Sequence, residues 1–217
     1  MREFFVSLDT ISPLLAFLAG ILLFRNAFMP REIKWLQLYL LCSFLFNGAG
    51  NVLSEFYEIN NHFLYHIQNQ LNLIILSFYF IQLPLLAKHS LVIILTGILF
   101  TIANVSWKLS SGNYTIFDSF GFAWSSVIFT IYCLLYYAAL LHSQKGENLF
   151  SIPTFWFVTG ILIYYACCFF IFILYRHYSM LGNTGLLWRF QNVMLMIMSI
   201  FIAKGFVCQA SHKSPSL

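Results

Sequence analysis

The chain has 217 residues, of which 60% are hydrophobic, 19% are aromatic and only 8% are charged, and its formal net charge is +4. A water-soluble domain carries about 25% charged residues, so this composition excludes a soluble fold of this size. The basic residues are scattered and form no basic run with interleaved aromatic residues, so no nucleic-acid partner is expected.

Seven apolar stretches follow one another along the chain, and each has about the length that an α-helix needs to cross a bilayer. They are residues 8–28, 33–53, 63–86, 90–107, 120–141, 152–175 and 186–207. The connections between them are short, and no second domain is expected. The sequence therefore predicts an all-α fold, a single transmembrane domain of seven helices over residues 1–217, with the lipid bilayer as its surrounding partner.

The orientation follows from lysine and arginine, which accumulate in cytoplasmic loops. If the N-terminus is outside, the inner face holds Arg25, Arg31, Lys34, Lys88, Lys145, Lys204 and Lys213. The outer face then holds only Arg2, Lys108, Arg176 and Arg189. The excess of basic residues on the inner face predicts an outside N-terminus and a cytoplasmic C-terminus.

The second span carries a stripe of polar residues that becomes more polar toward its outer end. Its members recur at intervals of three and four residues, which is the spacing of one helical face. They are Ser43, Asn47, Asn51, Ser54, Glu55 and Glu58. Polar side chains in a membrane face protein or water rather than lipid, so the stripe is expected to face the bundle interior.

The third span divides into a polar and an apolar face, which predicts a central helix that contacts lipid on one side. Its polar face comprises two neighbouring arcs: His62, His66, Asn69, Gln70 and Ser77, and then Tyr65, Gln68, Asn72 and Tyr79. The opposite, lipid-facing side comprises Phe63, Leu64, Ile67, Leu71, Ile74, Ile75 and Phe78.

Four amide side chains on these two spans lie deep in the membrane, where lipid offers no hydrogen-bond partner. They are Asn47 and Asn51 on span two, and Gln70 and Asn72 on span three. We expect them to bond to one another or to Gln191 and Asn192 on span seven. Span three should then pack against both span two and span seven.

The polar residues of spans two, three, six and seven concentrate in the outer third of the membrane. The sequence predicts an outward-opening cavity with a small-molecule or lipid ligand. Its candidate binding residues are Asn51, Glu55, Glu58, His62, His66, Gln70, Arg176, His177, Arg189 and Asn192. The alternative is that these groups only form hydrogen bonds between helices and bind no ligand.

His62 and His66 are four residues apart and share one helical face, which makes them candidate metal ligands. A zinc site needs three or four ligands, and only these two are brought together by sequence spacing. No cofactor is predicted. Lys204 lies near the cytoplasmic end of span seven, whereas a retinal-binding lysine would lie at mid-span.

Spans five to seven resemble part of a known group of proteins. The residues concerned are Ile-Pro-Thr-Phe-Trp-Phe-Val-Thr-Gly-Ile-Leu-Ile-Tyr-Tyr at 152–165, Ile-Phe-Thr-Ile-Tyr-Cys-Leu-Leu-Tyr-Tyr at 128–137, and span seven with its short cysteine-bearing tail. They resemble small bacterial seven-helix membrane proteins, which are similar to the seven-helix sensor regions that precede some histidine kinases. The resemblance implies a location in the bacterial cytoplasmic membrane and supplies no catalytic residues.

Three functions remain open from the sequence. The first is a receptor-like sensor that couples an external or membrane-borne ligand to a separate cytoplasmic signalling protein, since no kinase follows span seven. The second is a small transporter or channel. The third is a lipid-modifying enzyme that uses Glu55, Glu58, His62 and His66 as metal ligands or acid–base groups, and the absence of a catalytic motif makes an enzyme the less favoured class.

Overall fold

A computed structural model describes residues 2–25, 29–111, 116–143, 148–180 and 185–213, and the regular structure in these ranges is all helical. The α-helices are α1 (Arg2–Leu23), α2 (Arg31–Phe56), α3 (His62–Ile81), α4 (Ser90–Ser111), α5 (Ser119–Ser143), α6 (Pro153–Met180) and α7 (Gly185–Lys213). Two short 3-10 helices, Pro84–His89 and Leu149–Ser151, precede α4 and α6. The prediction of an all-α fold is confirmed.

Prolines mark several of the helix boundaries. Pro30 precedes α2, and Pro153 is the first residue of α6, where the missing proline N–H would have no helical acceptor. The predicted third span extended to residue 86 and was too long. α3 ends at Ile81 because Leu83, the residue before Pro84, adopts an extended conformation that a following proline favours.

The helices follow one another around a ring that closes where α1 packs between α2 and α7. α3 packs on α2, and α5 packs on α6, which in turn packs closely on α7. α4 lies outside this ring against α3 and makes less contact with α5. Helices that are consecutive in the chain alternate in direction, so the ring has two distinct ends. Tyr65, Phe117 and Trp188 meet at one end, and Gly20, Gln37 and Phe206 meet at the other.

The outer surface of the bundle is apolar. On α4, Leu91, Leu99 and Trp107 are 65%, 64% and 71% exposed, which would be unfavourable in water. Five described helical stretches are long and apolar enough to cross a membrane, and Leu8–Leu23 is a shorter apolar helix. The chain is thus an integral membrane protein with a bundle of transmembrane helices.

α3 is not among those five helical stretches, because the amide residues of its polar face lower its mean hydropathy. Its exposure pattern nevertheless follows the two predicted faces. Ile74 and Phe78 are 42% and 43% exposed, whereas Asn72 is buried. The assignment of Ile75 to the lipid face was wrong, because its side chain is buried in the core at 4% exposure.

The two ends of the bundle differ in composition. The cavity half contains Asp9, Asn51, His66, Asp118 and Trp188. The basic half contains Arg31, Lys34, Lys88, Lys204 and the closely packed core residues Phe157 and Phe206.

Candidate functional site

A small cavity lies at the centre of the ring, in the cavity half. Its volume is about 20 Å³, which is room for about one water molecule. Its lining comes from α2, α3, α5, α6, α7 and the segment before α5: Tyr39, Ser43, Asn47, Tyr65, Gln68, Asn72, Phe117, Phe122, Tyr164, Trp188, Gln191 and Leu195. The polar groups of this lining are amides and hydroxyls, and it includes no charged side chain.

The amide side chains of the lining join α2 to α3 and α6 to α7. The Gln68 side-chain amide donates to Asn47 Oδ1 at 3.0 Å across the α2–α3 interface. Gln191 Nε2 donates to the Tyr164 hydroxyl at 3.4 Å. The cavity therefore lies between two pairs of helices, each of which has its own polar cross-link.

Asp9 on α1 accepts further hydrogen bonds from α2. Asn47 Nδ2 donates to the Asp9 backbone oxygen at 2.9 Å, and Asn51 Nδ2 donates to Asp9 Oδ1 at 3.1 Å. Asn51 also donates to the Thr10 hydroxyl. Asn47 thus connects α1, through α2, to Gln68 of α3. Asp9 and Thr10 of α1 were not among the partners expected for Asn47 and Asn51.

Residues 116–118, which we call the lid, cover the cavity at the end of the bundle where α5 begins. The Phe117 ring is 5% exposed and points into the bundle. Its centroid lies 4.5 Å from that of Tyr175 and 5.0 Å from that of Trp188. Tyr65 stacks on Trp188 at 5.7 Å, so α3 and α7 meet through aromatic rings rather than through the predicted amides.

A buried ion pair holds the lid in place. Lys108 Nζ of α4 lies 2.6 Å from Asp118 Oδ2, and His66 Nδ1 of α3 lies 3.7 Å from the same oxygen. Gly121 N donates to Asp118 Oδ1 at 2.9 Å, which makes Asp118 the cap of α5. His66 Nε2 is 3.0 Å from the Ile116 carbonyl oxygen, and because that oxygen only accepts, Nε2 carries a proton.

The charge state of Asp118 follows from its surroundings. Burial alone would raise the pKa of this carboxyl group. The hydrogen bonds from His66 and Lys108, the positive charge of Lys108 and the Gly121 N–H outweigh burial and lower the pKa to about 2. Asp118 is therefore ionised at neutral pH, and the ion pair keeps the lid closed.

The predicted site residues divide into two groups. His66 holds the lid, His62 lies edge-on to Phe117, Asn192 is buried, Asn51 is half-buried beside Asp9, and the amide group of Gln70 is buried. The exposed group comprises Glu55, Glu58, His177 and Arg189. The side chain of Arg176 lies outside the described residues.

Glu58 needs a further correction, because it is not on the α2 stripe. α2 ends at Phe56, and Glu58 lies in the turn to α3 with a φ of 52°. A left-handed conformation at this position turns the chain back toward Asn61, whose side chain donates to the Gly50 carbonyl oxygen. Its carboxylate is exposed to the outside of the bundle rather than to the cavity.

None of the ten predicted binding residues is among the described residues that line the cavity. Asp9, Lys108, Phe117 and Asp118, which lie around it, were not predicted either. Lys108 and Asp118 were assigned to an exposed loop, because a charged residue next to Gly, Asn and Ser is typical of a loop. One sequence signal was available: an aspartate directly before an apolar helix is a common N-cap. That signal places Asp118 at the start of α5 but gives no information about Lys108 or His66.

The histidine pair does not form the start of a metal site in the part of the chain that is described. No group of three or more His, Cys, Asp and Glu residues within those ranges could hold a metal ion. Both ring nitrogens of His66 face protein atoms, Ile116 O and Asp118 Oδ2. The geometry gives His66 the role of a lid anchor.

A second, larger groove of about 380 Å³ lies between α3 and α4 and opens to the outside of the bundle. Its walls are almost entirely aliphatic, and Ser77 and Thr101 are its two hydroxyl residues. In a bilayer this groove faces lipid chains. It therefore belongs to the lipid-contacting surface rather than to the polar interior.

Comparison of the chain with protein-family models, with curated proteins and with solved structures gives no match.

Proposed function

We propose that the protein is a receptor-like sensor in which the central cavity binds the ligand and the lid moves when the ligand binds. The observation that supports this is a closed polar cavity with a lid at one end only. The lid is a short non-helical segment held by side-chain contacts to α3 and α4. At the other end, buried residues such as Tyr79, Phe80 and Phe157 fill the interior of the ring.

Movement of the lid would act directly on α6 and α7. Phe117 contacts Phe172 and Tyr175 at the end of α6 and Trp188 at the start of α7. These two helices pack closely along their length, so a change at one end shifts them as a pair. A ligand drives such a change only if it binds the open and closed arrangements with different affinity.

The basic half is the proposed docking surface for a separate cytoplasmic signalling protein. In the proposed topology all seven α-helices cross the bacterial cytoplasmic membrane, with the cavity half outside. Arg31, Lys34, Lys88 and Lys204 then lie on the cytoplasmic side, in accord with the bias of basic residues toward that side. Protease accessibility of terminal tags on intact cells tests this, and a C-terminal tag cleaved from outside would contradict it.

The coupling itself is tested with a lid that has lost its ion pair. In the double variant Lys108→Met, Asp118→Asn, no buried charge is left without its counter-charge, so the bundle should fold. Spin labels at Ile116 and Glu55 report the lid, and labels at the exposed Lys88 and Lys204 report the basic half. We expect both distance distributions to shift in the double variant.

Glu55→Gln is the matched control, because Glu55 is exposed at the same end of the bundle and does not contact the lid. In this variant the second spin label of the lid pair is placed at Glu58 instead of Glu55. Glu55→Gln should leave both distributions unchanged. If the lid distances shift in the double variant and the distance between residues 88 and 204 does not, the two ends are not coupled and the sensor proposal is wrong.

The two other functions have less support from the geometry. A transporter needs polar groups through the whole depth of the ring, but the interior of the basic half is filled by large buried side chains. A lipid-modifying enzyme would need Glu55 and Glu58 to converge with His66, but both carboxylates are exposed and His66 is engaged with the lid.

A further inference from the structure

We infer that the ligand of the cavity is a small, neutral aromatic molecule with an N–H or O–H donor, and that Phe117 occupies its ring position in the closed state. This inference rests on the proposed function, since it names the ligand class of the same cavity. Three observations carry it: the aromatic walls around Phe117, the uncharged lining, and two buried acceptor atoms of that lining.

The walls around Phe117 form a pocket for a flat ring. Five neighbouring aromatic side chains have ring centroids between 4.5 and 6.1 Å from that of Phe117. They are Tyr65, Phe122, Phe172, Tyr175 and Trp188. Aromatic rings at these separations in stacked and edge-on geometries attract one another beyond the effect of burial alone.

Phe117 can leave this pocket without the unwinding of a helix. It belongs to the lid and not to a helix, so its withdrawal breaks no helical hydrogen bond. The lid is tied by side-chain interactions of His66 and Lys108, which can be exchanged for water outside the bundle. An incoming ring of similar size would recover the aromatic contacts that Phe117 gives up.

Two acceptor atoms of the cavity lining have no hydrogen-bond donor. Asn72 Oδ1 and Gln191 Oε1 are buried and have no hydrogen-bond partner among the described residues. Asn72 is 8% exposed and therefore cannot recover its bonds from bulk water. Both atoms are hydrogen-bond acceptors, and the Phe117 ring has no N–H or O–H group to donate to them. A group that satisfies them must therefore be a hydrogen-bond donor.

The lining also sets the charge of the ligand. An ion that enters a buried site without a counter-ion loses its hydration and gains no compensation. No charged side chain lines the cavity, and the nearby Asp118 is already paired with Lys108. A neutral ligand with a ring and one donor therefore satisfies the site, whereas an organic cation or a carboxylate does not.

Three fluorinated probes test this inference by ¹⁹F NMR on the full chain in lipid nanodiscs. The probe 4-fluorophenol has a donor, 4-fluoroanisole has an oxygen that only accepts, and 4-fluorotoluene has neither. In Phe117→Ala the ring position is vacant, and we expect 4-fluorophenol to bind about tenfold more tightly than the other two probes. Asn72→Leu in this background should abolish the preference.

Wild-type protein should bind 4-fluorophenol saturably but more weakly than Phe117→Ala, because Phe117 must first be displaced. Phe120→Ala is the matched control, since Phe120 is 71% exposed three residues away and its removal should leave wild-type binding unchanged. Equal affinity of Phe117→Ala for the three probes would overturn the donor requirement. If Phe117→Ala does not fold, the absence of a saturable 4-fluorophenol signal in the wild type overturns the inference.

The coupling experiment with the double variant uses no ligand, so the two results are separable. If the basic half responds to an open lid and the probes do not bind, the ligand class is wrong and the sensor function stands. If the probes bind as expected and the basic half does not respond, the cavity is an aromatic-binding site without a signalling role.

Discussion

In the basic half, Phe206 packs against Phe157 with ring centroids 5.2 Å apart and against Phe24 at 6.2 Å. In the cavity half the interior instead contains amides, hydroxyls and the ion pair between Lys108 and Asp118. Lipid chains are as apolar as a leucine side chain, so helices in a membrane associate through close fit and through polar contacts. Close fit predominates in the basic half, although the Tyr137 and Thr159 hydroxyls also join α5 to α6 there. The ion pair and the amide hydrogen bonds lie in the cavity half.

The difference has a consequence for movement. Closely packed rings, and helices that approach each other closely at a glycine, fit together in only one arrangement. Any displacement from it leaves voids or steric overlaps. Polar groups can exchange one partner for another, such as water or a ligand, without losing their hydrogen bonds. The cavity half is therefore the part that can adjust, and the basic half is the part that can transmit a shift as a unit.

The largest effect is expected for Asp118→Ala, which removes the carboxylate that accepts from the buried Lys108 ammonium. Loss of one partner of a buried pair costs about 3 kcal/mol, the lower end of the usual range because both groups are slightly exposed. Unfolding in a detergent titration measures this. The double variant Asp118→Ala, Lys108→Met should recover part of the loss, and a double variant less stable than Asp118→Ala would contradict the ion-pair assignment.

In the basic half, Gly160→Ala should lower the free energy of unfolding by about 2 kcal/mol. A Cβ at this position would lie 2.8 Å from Phe201 Cβ and 3.0 Å from the Met198 backbone oxygen. A backbone atom cannot move aside, so α6 and α7 must separate. Gly185→Ala is the control, because no atom of the described residues lies within 4 Å of its Cβ position, and equal stability of both variants would contradict the close approach.

Acid should open the lid. The folded pKa of Asp118 is about 2, below the ordinary value of 3.8, so its stabilising effect is present above pH 3.8 and is lost as the pH falls toward 2. The mobility of a spin label at Ile116 should rise over that range. In Lys108→Met the rise should begin at higher pH, and opening at the same pH in both proteins would show that Lys108 does not set the transition.

The smallest effect is expected for Asn47→Leu, which removes the hydrogen bonds to Asp9 and Gln68. Such bonds in membrane proteins are worth about 0.6 kcal/mol each, so the loss should be about 1 kcal/mol in the same detergent titration. Ile74→Leu, on the exposed face of α3, should be silent. A cost for Ile74→Leu as large as that for Asn47→Leu would contradict the assignment of the two faces.

The polar face of α3 could be predicted from periodicity alone, because Asn72 and Ile74 lie on opposite sides of any straight helix. Ile75 was misassigned because it lies near the boundary between the two faces, and the packing of neighbouring helices decides such positions. The same limit applies to hydrogen-bond partners. Periodicity indicates that Asn47 faces inward, but not that it meets Asp9 on α1 and Gln68 on α3.

By itself, the sequence determined that this is an all-α integral membrane protein and which side of its central helices is polar, because composition and periodicity are local properties. Only the tertiary structure decided that Lys108, Asp118 and His66 form one buried cluster and that Phe117 fills an aromatic pocket. These residues come from α3, α4 and the segment before α5, and their meeting depends on how the ring closes. No local sequence pattern predicts how the ring of helices closes.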